Sequence, residues 1–465
     1  MGSHPVQRNS ATSQAKLYQA LKSEIIYPIG ELLLLQPAAL NQISHRPEYY
    51  NFYKKRAETE GYIDLTANDN RVIYFAAEHS ELEIIKILMS YKNIRLGLDS
   101  NRAIETATNN KHVDVLEYFL GFDEKYISTH GNFVLTQVCK HGDSCIELIK
   151  SLLSSPLVDP TTHNHAALRL AAAYGQTNTV NLLLADGRVD PSAEDNYAIC
   201  WASEGGHYGV VKLLLTDCRV DPSTRVNSAI RFAAENGHYG VVKLLLTDYR
   251  VDASAGNNDA IRLASANGQY DVVKLLLTND GVDPSAENND AIRSASANGH
   301  YNIVKLLLTD NRVDPGTALC SAASHGYYET VKLLLTDGRV DPSACNNLAI
   351  HYAAAYGHYD VVKLLLTDKR VDPSAEGNLA IFWAAQVGHT RIVNLLLNDP
   401  RVNKEKVLEQ QHPNNTAIKK AFALIDGYKK FSIFAISQQR AKNSALELPN
   451  ELVGEIAKTF SEVLK

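Results

Sequence analysis

The chain has 465 residues, of which 45% are apolar and 21% are charged, a composition close to the globular average that excludes disorder throughout. The net charge is −6, from 46 Lys and Arg against 52 Asp and Glu, and no long basic run occurs. This excludes binding driven by the phosphate backbone of nucleic acids and favours a protein partner. The six cysteines form neither paired motifs nor a disulfide framework, so we expect reduced thiols and a cytoplasmic location.

Residues 1–66 precede the repeats and have a helical pattern, with an amphipathic stretch over Lys16 to Ile26. The most apolar stretch, Ile25 to Leu40, is interrupted by two prolines and is shorter than the ~20 residues that span a bilayer. We therefore expect no membrane span. Met1 to Gln14 lacks an apolar block before a cleavage site, so we also expect no secretory signal. The segment is predicted to be a helical cap on the first repeat.

A repeat fills the centre of the chain. The triplet Val-Asp-Pro begins at Val158, Val189, Val220, Val282, Val313, Val340 and Val371, with degenerate copies at Val251 and Val402. Successive copies are 31 residues apart, except for one spacing of 27. A fixed period of this length predicts a solenoid of stacked units. Each unit has a polar finger, a first helix, a glycine, and a second helix whose broad apolar face is typical of packing between neighbours.

Recurring polar residues suggest how each unit is built. An asparagine ends each finger and is predicted to cap the first helix, at Asn196, Asn227, Asn258, Asn289, Asn347 and Asn378. A glycine is predicted to end that helix in a left-handed conformation, at Gly206, Gly237, Gly268, Gly299, Gly326, Gly357 and Gly388. The histidine that often follows is predicted to hydrogen-bond at the start of the second helix rather than to bind metal. Alternating Asp and Arg before each triplet predict an exposed lattice of ion pairs shared between neighbours.

One unit is four residues short. Only three residues separate Pro315 from Leu319, whereas seven separate Pro284 from Ile292. The missing residues cannot come from the helices without destroying their packing, so the finger is predicted to be absent from this unit.

Weaker copies extend the array in both directions. Asn70, Asn101 and Asn132 continue the 31-residue spacing before the first triplet, and Asn415 continues the pattern after the last. Counting first helices gives about twelve units over residues 67–437. The tail, 438–465, is predicted either to cap the last unit or to project from it.

These residues resemble the ankyrin repeat, with its finger, its first helix with a small-residue step, Gly-His, and Val-Val-Lys-Leu-Leu-Leu. The period of 31 differs from the usual 33, and Asn/Asp-x-Ala-Ile replaces the common Thr-Pro-Leu-His. The resemblance implies an all-α ankyrin-repeat solenoid of about twelve helix-turn-helix units with helical N- and C-terminal caps. The variant is similar to ankyrin arrays of amoebal giant viruses and of host-directed proteins from intracellular bacteria.

The resemblance also implies a protein-binding scaffold, because ankyrin partners lie against the finger tips and the last turn of each first helix. These positions hold Glu194, Asp195, Arg225, Val226, Asn257, Glu287, Asn288, Asn346 and Glu376 in the fingers, and Glu204, Glu235, Tyr356 and Gln386 on the helices. Trp201 and Trp383 share one register position, and partial exposure there would make them interface anchors. The set leans acidic, so we expect a partner with a basic surface.

The sequence contains no signature of a cofactor site, a zinc site or a common hydrolase. Cys139, His141 and Asp143 suggest a thiol nucleophile with a base, but His141 falls where a helix ends, which favours a structural turn. We therefore expect a monomeric, non-enzymatic protein without cofactor or metal. An enzyme with a cryptic site in the terminal regions is the alternative.

The tail carries a separate signal. Leu448, Pro449, Glu451, Leu452, Ile456 and Phe460 resemble the first helix of an F-box. An array that ends in this way is similar to poxviral ankyrin proteins that recruit a host ubiquitin ligase, which implies a ubiquitin-ligase adaptor as a partner. The glutamates of the same tail also resemble export signals of secreted effectors, which implies action in a host cytosol. An ordinary capping helix is the third interpretation.

Overall fold

The computed structural model describes residues 100–122 and 124–409, together with residues 77, 78, 80, 82, 85 and 86. Over this part of the chain the backbone forms 21 α-helices and one 3-10 helix, and it forms no strand. The predicted all-α class is confirmed. The predicted caps and most of the outermost repeats lie outside the described residues. The chain divides into an N-terminal half, Met1–Arg225, and a C-terminal half, Val226–Lys465.

The helices occur in pairs, one pair to a repeat. The first helices are Ser100–Asn109, Glu124–Val138, Thr162–Ala173, Ala193–Glu204, Thr224–Glu235, Ala255–Ala266, Ala286–Ala297, Ala318–Ser324, Ala344–Ala355 and Ala375–Val387. The second helices are Val113–Phe122, Ile146–Ser154, Thr177–Ala185, Tyr208–Leu215, Tyr239–Leu245, Tyr270–Leu276, Tyr301–Leu307, Tyr328–Thr336, Tyr359–Leu365 and Thr390–Leu397. The 3-10 helix is Gly142–Cys145, and Lys404–Glu409 follows the last pair.

Within each half, first helices pack on first helices and second helices on second helices of the adjacent repeats. The small-residue step allows close approach, since Ala353 and Ala354 are both fully buried. In the second helix the broad apolar face is buried as predicted, and Leu214 has no exposed surface. Helices of 7 to 9 residues, such as Tyr239–Leu245, are too short to be stable alone, so the stack supplies their stability.

Most fingers consist of three consecutive residues in the left-handed region. In one finger Gly256, Asn257 and Asn258 have φ angles of 65°, 55° and 64°. This conformation costs roughly 1–2 kcal/mol for most residues and least for glycine and asparagine, which explains why fingers are rich in them. Val226, with a φ of 58°, is a β-branched exception.

The finger predicted to be missing is absent. The helix Ala318–Ser324 begins directly after Thr317, and no residue from Asp314 to Ala318 has a positive φ. We call the resulting gap in the row of fingers, between Asn289 and Ala344, the notch.

The asparagines do not cap their own helices, so that prediction is wrong. The side-chain Oδ1 of Asn258 accepts a hydrogen bond of 2.7 Å from the backbone N–H of Asp283, 25 residues later in the next finger. Asn196 and Asn347 make the same bond to Asp221 and Asp372. The reason is backbone geometry, because helix caps have an extended φ and these asparagines are left-handed.

The histidines also reach into the adjacent repeat, contrary to the prediction that they bond at the start of their own helix. The Nε2–H of His300 donates to the carbonyl oxygen of Ala266, 34 residues earlier, at 2.9 Å. Its ring lies over Gly268, where a Cβ atom would come within 2.7 Å of the ring. Gly268 also has a φ of 80°, which confirms the predicted left-handed helix end.

The Asp and Arg residues before each triplet form ion pairs within a repeat rather than between neighbours. Arg188 contacts Asp186 at 2.7 Å, and this hydrogen bond lowers the pKa of the Asp186 carboxyl. The link between repeats is a different bond, from Nη1 of Arg188 to the carbonyl oxygen of Val158 at 2.9 Å. The arginine therefore fixes a backbone carbonyl of the preceding repeat, which the sequence did not reveal.

We predict that Val226→Asn raises the free energy of unfolding by about 1 kcal/mol, because asparagine tolerates the left-handed conformation better than valine. The side chain of Val226 is 56% exposed, so the substitution loses little apolar contact. Chemical denaturation of both proteins measures the difference. Val226→Thr is the control, since it keeps the β-branch and should leave stability unchanged. A decrease with Val226→Asn would contradict the assigned strain.

Candidate interaction surface

The predicted contact residues are all accessible. Twelve are exposed: Glu194, Asp195, Glu204, Arg225, Val226, Asn257, Glu287, Asn288, Asn346, Tyr356, Glu376 and Gln386. Glu235 and the two tryptophans, Trp201 and Trp383, are partly exposed. Their role in binding stays a prediction, but the fold leaves each of them at least partly exposed.

In the N-terminal half, Trp201 belongs to a cluster of aromatic rings and guanidinium groups. Its ring centroid lies 5.1 Å from that of Tyr197. The guanidinium of Arg169 lies 5.7 Å from the Trp201 centroid, and that of Arg225 lies 3.8 Å from the Tyr197 centroid. At these distances the cations are attracted to the ring faces, which holds the rings in place. The sequence singled out Trp201 and Arg225 but not Tyr197 or Arg169.

In the C-terminal half, Trp383 stacks on Tyr352 with a centroid separation of 6.2 Å and an interplanar angle of 14°. Tyr356 extends the group, with its centroid 6.2 Å from that of Tyr352. We call Tyr352, Tyr356 and Trp383 the aromatic platform. Tyr356 is 63% exposed, whereas Tyr352 and Trp383 are partly buried, so the platform presents ring surface to solvent.

A ladder of charges runs along three repeats of the C-terminal half. Asp259 pairs with Arg231 at 3.1 Å and with Arg262 at 2.9 Å. Arg262 also pairs with Asp290 at 2.9 Å, and Asp290 contacts Arg293. These ion pairs were not predicted from the sequence. The available signal was the arginine that recurs every 31 residues just before the register position of the tryptophans.

The finger tips are linked by amide and carboxylate groups. Asn257 donates from Nδ2 to Oε1 of Glu287 at 2.7 Å, and Asn346 donates in the same way to Glu376 at 2.6 Å. The acidic character expected from the sequence thus lies at the tips, while the charge ladder has one more arginine than aspartate. The surface of this half therefore has mixed charge.

The suspected thiol site lacks the properties of a nucleophile. Cys139 is fully buried, and burial raises the pKa of its thiol far above the usual range. Burial also lowers the pKa of His141, so neither residue favours its charged form. A reactive thiol needs an accessible thiolate, and Cys139 provides none.

Over the described residues, no group of three His, Cys, Asp or Glu side chains is arranged to hold a metal ion. In the same part of the chain, none of the helices combines the length and the apolar character that crossing a membrane requires.

The sequence matches one protein family. The family model described as ankyrin repeats in three copies matches residues 135–226, 199–288, 261–344, 292–376, 319–406 and 350–423. These overlapping matches run without a break from residue 135 to residue 423. No curated protein matches the chain.

We predict that His351→Phe removes part of the loss of stability at acid pH. The side chain of His351 is 1% exposed and lies against Trp383, with ring centroids 6.0 Å apart. Burial lowers its pKa below 6.5, against a backbone hydrogen bond at Ala375 and the charges of Glu376 and Asp372, which raise it. The folded state therefore needs the neutral ring, so its stability is complete above pH 6.5 and falls as the pH drops.

The measurement is the free energy of unfolding at pH 7 and at pH 5. The wild type should lose more stability between these values than His351→Phe, whose new side chain matches the buried Phe382 of the next repeat. His325→Asn changes an exposed histidine and should behave as the wild type. An equal loss in wild type and His351→Phe would contradict the prediction.

Proposed function

The chain belongs to the ankyrin-repeat family of protein-interaction scaffolds, and we propose that it binds a partner protein through the aromatic platform of its C-terminal half. The observation that carries the proposal is the stack of Tyr352 and Trp383, extended by the exposed ring of Tyr356. Aromatic side chains of this kind are the residues that contribute most to binding at protein interfaces. Their low rotamer entropy means that little freedom is lost when a partner binds.

Buried side chains next to the aromatic platform hold its rings in place. Ala353 and Ala354 are buried next to Tyr352 in the chain, and the buried ring of His351 supports Trp383 edge-on. The rings therefore start from fixed positions, which favours binding by reducing the cost of ordering them. A partner with an apolar anchor fits this arrangement.

Charges elsewhere in the same half refine the expected partner. Glu376 and Glu287 place carboxylates at finger tips of the same half, where they suit basic side chains of the partner. The arginines of the charge ladder suit acidic ones. We propose a partner whose apolar anchor is flanked by both signs of charge, with basic groups facing the finger tips.

We predict that Tyr356→Ala and Trp383→Ala each weaken partner binding by about tenfold or more, the scale of interface hot spots. Affinity capture followed by quantitative mass spectrometry identifies proteins retained by the wild type and lost with both variants. Tyr249→Ala is the matched control, since this tyrosine is 95% exposed and lies outside the platform. A circular dichroism melt of Tyr356→Ala confirms folding. Capture that is equal with Tyr356→Ala, Tyr249→Ala and wild type would contradict the proposal.

Ankyrin-repeat proteins are typically non-enzymatic, and we propose the same for this chain, acting as a monomer. Finer proposals on ligase recruitment, export into a host cell and a cytosolic site of action depend on the sequence alone. The tail residues that carry the first two, such as Leu452, lie outside the described residues.

For the tail, we predict that Leu452→Asp distinguishes recruitment of a ubiquitin-ligase adaptor from capping of the last repeat. Leu448, Leu452, Ile456 and Phe460 recur at four-residue intervals and so share one face of a predicted helix. If the tail recruits a ubiquitin-ligase adaptor, the variant keeps the wild-type melting temperature and loses adaptor binding. Glu451→Gln is the control on the same segment. A lowered melting temperature, with no adaptor bound by either protein, would eliminate the ligase proposal.

A further inference from the structure

The notch leaves a backbone donor without its usual acceptor. In the C-terminal half, four of the five aspartates in the Val-Asp pairs donate their backbone N–H to an asparagine Oδ1 25 residues earlier, at 2.7 to 2.9 Å. The fifth is Asp341, whose asparagine was lost with the missing finger. Within the described residues its N–H makes no hydrogen bond, and Asp341 is exposed.

A second donor is left on the other side of the notch. In the complete fingers, the middle asparagine donates to the first residue of the next finger, as Asn257 does to Glu287 and Asn346 does to Glu376. Asn288 occupies this middle position just before the notch, where the next finger is absent. Its amide is exposed and makes no hydrogen bond to any residue that the structure describes.

The far edge of the notch carries an exposed thiol. Cys345 occupies the first position of its finger, which corresponds to Glu287 and Glu376 in other fingers. In an unbroken row this position receives the amide of the preceding finger. Asn288, Asp341 and Cys345 are therefore the groups that the missing finger would have contacted.

We propose that the notch is a docking site for a polar loop of a partner protein, which occupies the place of the missing finger. Such a loop presents one acceptor to the Asn288 amide and a second acceptor, two residues later, to the Asp341 N–H. Glu287 and Asn289 have this spacing in the neighbouring finger, so a Glu-x-Asn turn fits. The inference rests on the proposed function for its premise that the chain binds proteins, and it adds the position and chemistry of one contact.

The charges near the notch favour a hydrogen-bonding loop over a phosphate group. Arg293 lies in the repeat before the missing finger and Arg339 at the end of the repeat that lacks it, and they are paired with Asp290 and Asp337. Asp314 and Asp341 are both exposed there. Both arginines are thus neutralised and two further carboxylates remain, which disfavours a phosphate group and leaves the uncharged donors of the notch to select an acceptor by geometry.

The test uses an acetylated and amidated peptide with the sequence of residues 283–290, Asp-Pro-Ser-Ala-Glu-Asn-Asn-Asp. Iodoacetamide alkylation of Cys345 in the full chain is followed by mass spectrometry with and without peptide. We expect saturating peptide to slow alkylation of Cys345 at least fivefold. Cys218 is also exposed and lies far along the sequence, so its unchanged rate is the internal control.

Peptides in which alanine replaces the glutamate or the second asparagine should protect poorly, and Asn288→Ala should weaken protection by the native peptide. Because Asn288 is exposed, this variant should fold as the wild type. Alkylation of Cys345 that is unaffected by millimolar peptide would overturn the inference, as would equal protection by all three peptides.

A restored finger provides the complementary test. Inserting Ala-Glu-Asn-Asn between Gly316 and Thr317 gives this repeat the length of its neighbours. The insertion should abolish protection by the peptide while leaving partner capture by the aromatic platform in place. If the peptide still protects Cys345 of the insertion variant, it binds elsewhere, and the notch is refuted as a docking site. Tyr356→Ala does the reverse, weakening partner capture but not peptide protection, so failure of the proposed function is distinguishable from failure of the notch.

Discussion

The hydrogen bond between an asparagine side chain and the backbone of the next finger is the constraint on which the other features depend. It joins residues 25 apart, as in Asn258 and Asp283, and so sets the spacing of adjacent fingers. The arginine-to-carbonyl bond and the histidine-to-carbonyl bond, at separations of 30 and 34 residues, add two more links between the same repeats. Short helices that cannot persist alone are thereby held at a fixed offset from their neighbours.

This offset explains why large rings are available at the surface. Buried positions of the first helix are filled by small residues such as Ala353 and Ala354, which leave no room for a tryptophan between adjacent helices. Trp383 and Tyr352 therefore stack where both residues stay partly exposed. Tight packing of small residues and display of aromatic ones are two results of the same spacing.

Much of the fold could be predicted because the information lies within one period. The helix pairs, the left-handed Gly268 and the finger lost near Pro315 all follow from residue types and distances along the chain. The roles of Asn258 and His300 could not be predicted in the same way, because both side chains bond to a different repeat. Their partners depend on how repeats are offset in space, which the spacing within one repeat does not contain.

On the candidate surface, too, features set within one repeat could be predicted and contacts between repeats could not. Register identified Trp201 and Trp383, and both are partly exposed, while their role as anchors stays a prediction. The charge ladder was missed although its arginines recur at the repeat period, because Arg262 pairs with Asp290 across 28 residues. Only the stacked repeats bring these two groups together.

The packing of a side-chain ring over a glycine of the preceding repeat has a consequence for how such an array can gain or lose repeats. Gly268 receives the ring of His300, Gly326 that of His358 and Gly357 that of His389, and Gly299 accommodates Tyr327 in the same place. A block of one period in this part of the array therefore carries both a glycine that its successor covers and a side chain that covers the glycine of its predecessor, and this side chain is an amide instead of a ring in Gln269, which lies over Gly237. Duplicating or deleting a whole block therefore creates a junction that already fits. A cut inside a block instead breaks the asparagine, arginine and histidine hydrogen bonds to the neighbouring repeat at once. Growth by whole blocks is thus a property built into the packing itself.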